Sequence, residues 1–173
     1  MQKRGGVEPI SLRDALLRCI HTGNREGRPH WSIPDRGRDV HVKIDEVTLM
    51  EILSNLVDNA EKYRAPDSDI LYHVRERPYG VAMTVSNLGP QLEEGEDLRI
   101  FERQYRGFAA RTLVKNGTGM GLYVIKRLCQ EYGVEIVYGW RYPGTRGWHH
   151  DEMVWHDFTL EIPHGLVLEY SKW

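Results

Sequence analysis

Leu53-Ser54-Asn55-Leu56-Val57-Asp58-Asn59-Ala60-Glu61-Lys62-Tyr63 is the stretch on which the reading of this chain turns. Successive helical residues are set about 100° apart around the axis. Carried back to Glu46, that spacing gathers Leu49, Ile52, Leu53, Leu56, Val57 and Ala60 into one wide apolar stripe, which must face a core. With Asp45 as an N-cap and Pro66 beyond the end, the pattern predicts a helix over 46–64. Asn55, Asn59 and Lys62, at i, i+4 and i+7, project together on the flank of the stripe, with Tyr63 between row and stripe. Carboxamide oxygens suit magnesium and a lysine ammonium meets a phosphate as a point charge, so the row could hold a magnesium-nucleotide. The ordinary alternative is the solvated border of an amphipathic helix.

Downstream, Gly117-Thr118-Gly119-Met120-Gly121-Leu122 opens a second helix over 121–132 that stops at Gly133, a good C′ residue. Glycines let the backbone approach a ligand, and a helix start offers unpaired N–H groups and a positive dipole end to phosphate; a plain flexible loop uses the same residues. No Gly-Lys-Ser/Thr follows and no strand immediately precedes, so this is neither a Walker loop nor a dinucleotide fingerprint.

Around these two elements, 11–20 reads as a short amphipathic helix capped by Ser11, and 40–44, 69–75, 81–86, 134–138 and 158–162 read as strands. The second and third of these strands join through Pro78-Tyr79-Gly80 as a hairpin, and 91–117 is a polar, flexible region. Residues 139–156 form a long hairpin insertion carrying Trp140, Trp148, Trp155, His149, His150 and His156. His149, His150, Asp151 and His156 combine group types that zinc accepts; the alternative is an exposed hairpin tip whose tryptophans pack on the sheet edge. The order of elements implies an α+β, two-layer α/β sandwich: a mixed, mostly antiparallel sheet with helices on one face.

At 173 residues the chain fits one domain, with 40% apolar and 28% charged residues and a formal net charge of -2. Nothing in that balance favours nucleic acid as a partner. No apolar run approaches the roughly 20 residues that cross a bilayer, and the first residues lack a signal peptide's apolar segment. Cys19 and Cys129 lie far apart, and Cys129 falls on the apolar side of its helix like a reduced core thiol, so a cytoplasmic domain without membrane contact of its own is expected.

Taken jointly, four segments over about 40–163 resemble the GHKL, or Bergerat-fold, ATP-binding superfamily, and within it the catalytic and ATP-binding domains of sensor histidine kinases. Residues 53–63 look like the N box, 85–90 (Val-Ser-Asn-Leu-Gly-Pro) the first glycine box, 100–107 (Ile-Phe-Glu-Arg-Gln-Tyr-Arg-Gly) the F box at the start of an ATP lid, and 117–122 the second glycine box. The resemblance implies ATP and Mg2+ as cofactors. It places the metal on Asn59 and implies Asn55, Lys62 and Arg106 as candidate catalytic residues. Nucleotide contacts are implied at Asn59, Tyr63, Asn87, Gly89, Phe101, Gly117, Thr118, Gly119, Met120, Gly121 and Leu122. Hydrolases of the superfamily generally carry a glutamate where this chain has Asn55. An amide takes up no proton near neutral pH, which favours transfer to a histidine, itself a nucleophile there.

The implied activity is transfer of the ATP γ-phosphate to a histidine on a dimerisation helix, with that phospho-acceptor helical domain and a response regulator as partners. The eight histidines lack the family's acceptor pattern, so this chain is expected either to belong to a longer kinase, whose sensor and any membrane segments would lie outside it, or to act on a partner in trans. Two departures favour a degenerate nucleotide-binding or regulatory module as the rival reading: Asn87 stands where the first glycine box begins with aspartate, and Gln91 replaces its second glycine. A GHKL hydrolase is the third.

Overall fold

A computed structural model describes residues 8–22, 30–34, 39–115, 117–144 and 153–168. Its helices are α1 (Leu12–Thr22), α2 (Glu46–Tyr63), α3 (Phe108–Leu113) and α4 (Gly121–Glu131). Strands β1 (Ile10–Ser11), β3 (His41–Val42) and β8 (Val167–Leu168) make a small antiparallel sheet in the order β1-β3-β8. The main sheet takes β2 (Trp31–Ser32), β4 (Ile70–Arg77), β5 (Gly80–Pro90), β6 (Glu135–Arg141) and β7 (Met153–Pro163) in the order β2-β4-β5-β7-β6. Only β2 against β4 runs parallel, so the sheet is mixed and mostly antiparallel as expected.

The helix ends follow local chemistry. Asp45 accepts a hydrogen bond from Thr48 N at 3.1 Å and caps α2. At the other end Arg64 is extended, and Ala65 before Pro66 is biased away from helix. Ser11 Oγ accepts from Asp14 N at 3.0 Å and starts α1. The end of α4 is a Schellman motif: Gly133 sits at φ +67, its N–H reaches Gln130 O, and Val134 N reaches Cys129 O. At the β4–β5 turn a Cβ on Gly80 would lie 1.9 Å from Ile162 O, so only glycine fits beside β7.

Helices α1, α2 and α4 form one layer over the sheet. The stripe on α2 (Leu49, Ile52, Leu53, Leu56, Val57, Ala60) is buried throughout and meets Leu12, Ala15 and Leu16 of α1, Ile125 and Cys129 of α4, and the sheet in one core. β5 and β7 supply its floor in register: Val81 with Ile162, Met83 with Leu160, Val85 with Phe158. Cys19 and Cys129 are both buried thiols. No described helix is long and apolar enough to cross a membrane.

Three expectations change. The strand expected at 40–44 is only His41–Val42, and it belongs to the small sheet, where it bridges β1 and β8. Residues 139–141 and 153–156 are not insertion: they are the paired ends of β6 and β7, with Gly139 against Asp157 and Trp140 against His156. The alternation that buries Phe158, Leu160 and Ile162 continues back through His156 and Val154, and the polar residues within it hid the strand's first half. Within 91–117 the described chain contains turns and α3 rather than featureless loop. Trp148, His149, His150 and Asp151 lie outside the described residues.

Leu53 is 0% exposed and Val47, six residues earlier on the same helix, is 74% exposed. Leu53→Ala should cost about 2–5 kcal/mol in urea unfolding, whereas Val47→Ala should stay within about 0.5 kcal/mol.

Candidate functional site

The polar row on α2 borders a cavity of about 230 Å³ closed by the segment leading into α3, the glycine turn before α4, and the ends of β5 and β7. Asn55, Asn59, Lys62 and Tyr63 line it from α2; Arg106 lines it from the lid; Gly117, Thr118, Gly119, Met120, Gly121 and Leu122 line it from the glycine turn; Asn87 lines it from β5. Of the residues anticipated from sequence, Gly89 and Phe101 are not on its wall. The Phe101 ring lies 5.7 Å beneath Lys126 Nζ of α4. Gly89 is set by packing, since a Cβ there would lie 2.6 Å from Tyr63 O at the end of α2.

Backbone approach brings the two halves together. A Cβ on Gly121 would meet Asn55 Oδ1 at 3.2 Å, so α4 begins directly against the polar row. Gly119 adopts φ +68 with Tyr105 O and Gln104 C inside 2.8 Å of where its Cβ would stand, a place and conformation that suit glycine alone. The first N–H groups of α4 have no helical partners and face this space with the positive end of the helix dipole.

Several donors in the site are already engaged. Lys62 Nζ pairs with Asp58 one turn back, and Asn55 Nδ2 donates to Glu51 O at 2.8 Å. Arg106 is turned into the lid: Nη2 donates to Ala110 O at 2.7 Å and to Val114 O, while its buried Nε has no partner. Arg106 therefore staples α3 in this state. Glu96 organises the same segment, accepting from Glu93 N at 3.0 Å, Phe108 N at 2.8 Å and the Tyr105 hydroxyl at 3.2 Å. Glu96 lies in an acidic run that reads as solvated surface, and nothing in the sequence singles it out.

The far end of the cavity is apolar and aromatic. Pro90, Leu92, Ile100, Tyr138 and Phe158 line it, none of them anticipated from sequence, together with His156. The β7 alternation was the signal that could have found His156. The register sets His156 opposite Asn87, so the row of apolar cross-strand pairs ends here in a polar one. Both ring nitrogens of His156 are spoken for: Nδ1 lies 2.8 Å from the Tyr138 hydroxyl and Nε2 lies 3.0 Å from Pro90 O. A carbonyl only accepts, so Nε2 carries the proton and Tyr138 donates to Nδ1. This pairing removes His156 from the zinc grouping anticipated with His149, His150 and Asp151. Burial pushes the Tyr138 hydroxyl well up, with Asp97 and Asp157 adding to it, which keeps it a donor. Burial also lowers His156, against the opposing pull of the Pro90 and Gly89 carbonyls and Asp157. Asn87 differs: it is 1% exposed, and neither Oδ1 nor Nδ2 has a partner. A buried polar group left unpaired costs about 1–3 kcal/mol.

A neutral, buried His156 carries a pH signature. Its folded pKa lies below the ordinary histidine value of about 6.5, so in mildly acidic solution the unfolded chain binds the proton more readily. Its contribution is complete above about pH 6.5 and is lost as pH falls below that value. His73, likewise lowered by burial, has the same sign. Urea midpoints compared at about pH 7.5 and about pH 5.5 should differ less in His156→Gln than in the wild type, leaving the His73 share.

Comparison with known proteins places this geometry. A family model described as histidine kinase-, DNA gyrase B-, and HSP90-like ATPase matches residues 44–165. The sensor histidine kinase Hik2 of Thermosynechococcus vestitus is 31% identical over 167 residues, covering 94% of this chain and 40% of Hik2. The swarming motility regulation sensor protein RssA of Serratia marcescens is 35% identical over 103 residues, covering 59% of this chain and 21% of RssA. The chain thus spans less than half the length of these curated relatives. Among solved structures, a mycobacterial sensor histidine kinase, MprB, superposes with a TM-score of 0.73 at 19% identity, covering 90% of this chain and 99% of that one. The catalytic domain of the histidine kinase ThkA gives 0.65 at 19% identity, covering 90% of this chain and 97% of that one.

Proposed function

Since this chain belongs to the family of histidine kinase-, DNA gyrase B- and HSP90-like ATPases, we propose that it is the ATP-binding catalytic domain of a two-component sensor kinase, passing the γ-phosphoryl group of ATP to a histidine on a helical dimerisation domain. One observation carries the reading: the Asn55, Asn59 and Lys62 row and the glycine-opened start of α4 border a single cavity. From Asn55, beside Gly121, to Tyr63, beside Gly89, α2 runs eight residues, or about 12 Å, enough to separate a phosphate end from a base end.

At the phosphate end, N–H groups of the 117–122 turn and of the start of α4 receive phosphate oxygens, and Arg106, together with Lys62, whose ammonium lies back along α2 beside Asp58, offsets their charge. Engaging phosphate requires Arg106 to leave the Ala110 and Val114 carbonyls, which couples nucleotide arrival to the lid. At the base end Asn87 meets the ring edge between apolar walls, and Tyr63 lines the approach. The residues suit magnesium brought in with the triphosphate rather than a resident ion. Asn59 offers a carboxamide oxygen, and no group of three His, Cys, Asp or Glu among the described residues could hold a metal alone. Bound there, the ion would neutralise phosphate charge and orient the terminal group.

The transfer breaks the bond from the γ-phosphorus to the bridging oxygen and forms one to an imidazole nitrogen, which needs positioning and charge stabilisation more than an enzyme base. That agrees with Asn55, whose amide cannot take a proton. A response regulator would be the next acceptor. The rival reading, a nucleotide-holding regulatory module, is favoured by one observation: Lys62 and Arg106 are both engaged by protein groups.

Labelled ATP, this domain and a separately supplied histidine-bearing dimerisation domain distinguish the two. Label should appear on the helix only when the domain is present, and its absence despite measurable ATP binding would support the module. Asn59→Ala should weaken magnesium-dependent binding of a non-hydrolysable ATP analogue about 10- to 100-fold in calorimetry and leave the melting temperature near the wild-type value.

A further inference from the structure

Among the described residues at the base end of the cavity, Asn87 carries the buried polar atoms that lack partners. Tyr138 and His156 satisfy each other and the Pro90 carbonyl, and Ser86 and Asp157, on the opposite face of β5 and β7, bond each other at 2.5 Å. Asn87 pairs with His156 and follows Ser86 in the register; it lines the cavity, is almost wholly buried, and neither of its amide atoms has a partner among the described residues. A carboxamide carries an acceptor and a donor side by side, and a half-turn about its terminal bond exchanges them. Among the described residues nothing fixes which way this one points, because neither atom has a partner there to lose.

A purine presents a matching pair on its six-membered ring. In adenine the 6-amino group donates and N1 accepts; in a 6-oxopurine O6 accepts and N1–H donates. We propose that Asn87 is a reversible reader of both: Oδ1 accepts from the adenine amino group while Nδ2 donates to N1, and after the half-turn Nδ2 donates to O6 while Oδ1 accepts from N1–H. The site therefore binds 6-oxopurine nucleoside triphosphates with affinity comparable to ATP. A carboxylate at this position only accepts at both oxygens, which suits an amino group and opposes O6. The inference rests on the nucleotide reading above and assigns base selectivity within it.

Inosine triphosphate is the suitable probe, because it has the 6-oxo edge of guanine without the extra 2-amino group. Binding of ATP and inosine triphosphate, each with magnesium, would be measured by calorimetry for the wild type and for Asn87→Asp, a nearly isosteric change whose folding is checked by circular dichroism. The wild-type affinities should lie within about tenfold of each other, and the substitution should widen the gap in favour of ATP by about tenfold or more, the scale of one two-point base contact. Good ATP binding with inosine triphosphate about 100-fold weaker would overturn the inference and leave the nucleotide reading standing. An unchanged ratio in a folded Asn87→Asp would overturn it as well, since selectivity would then lie elsewhere. Binding of neither nucleotide would sink both readings. Should the variant not fold, the wild-type ratio alone decides.

Discussion

A slip of one residue of β7 along β5 would turn Asp157 and Thr159 toward the helices and carry Phe158 and Leu160 to the opposite face, because strand side chains alternate between faces. The observed register prevents this. It builds the floor on which α2 and α4 lie, and with the same alternation it delivers Asn87 and His156 to the cavity once the apolar pairs run out. Core and site are one row of cross-strand pairs. The strand pairing that buries hydrophobic surface also decides which polar groups a ligand meets.

The helix α2 was the most legible element. Its stripe, its Asp45 cap and its end before Pro66 are local features, and the buried residues are the six that the spacing selects. The polar row was legible for the same reason, since a helix fixes which side chains share a flank. Glycine positions were readable as close approaches but not as to what approaches: Gly121 and Gly119 meet Asn55 and the Tyr105 carbonyl across the cavity, whereas Gly89 yields to the end of α2. The aromatic base end was hidden. Tyr138, Phe158 and His156 meet there only through sheet pairing, and Trp155 and His156 read as part of an exposed loop until the β7 alternation is followed back through them. Glu96 was invisible because its role consists of three contacts formed after the lid has folded back on itself.

Charge in the site is held in reserve. Lys62 is paired with Asp58, and Nη2 of Arg106 is bonded to lid carbonyls. An anion entering the space beside them would compete with these protein acceptors rather than with bare solvent. The base end works in the opposite sense, because Asn87 has no internal partner to surrender.

The close packing of Gly119 on the Tyr105 carbonyl reaches beyond local fit. It pinches the chain between 91 and 120 at mid-length, so that what remains to be arranged over a guest is a ring of about half the contour. Ring-closure entropy grows with the logarithm of length, at about 0.6 kcal/mol per doubling. A bulkier residue at 119 would unclasp that ring and return the full segment to the ensemble of conformations from which a closed cover must be drawn.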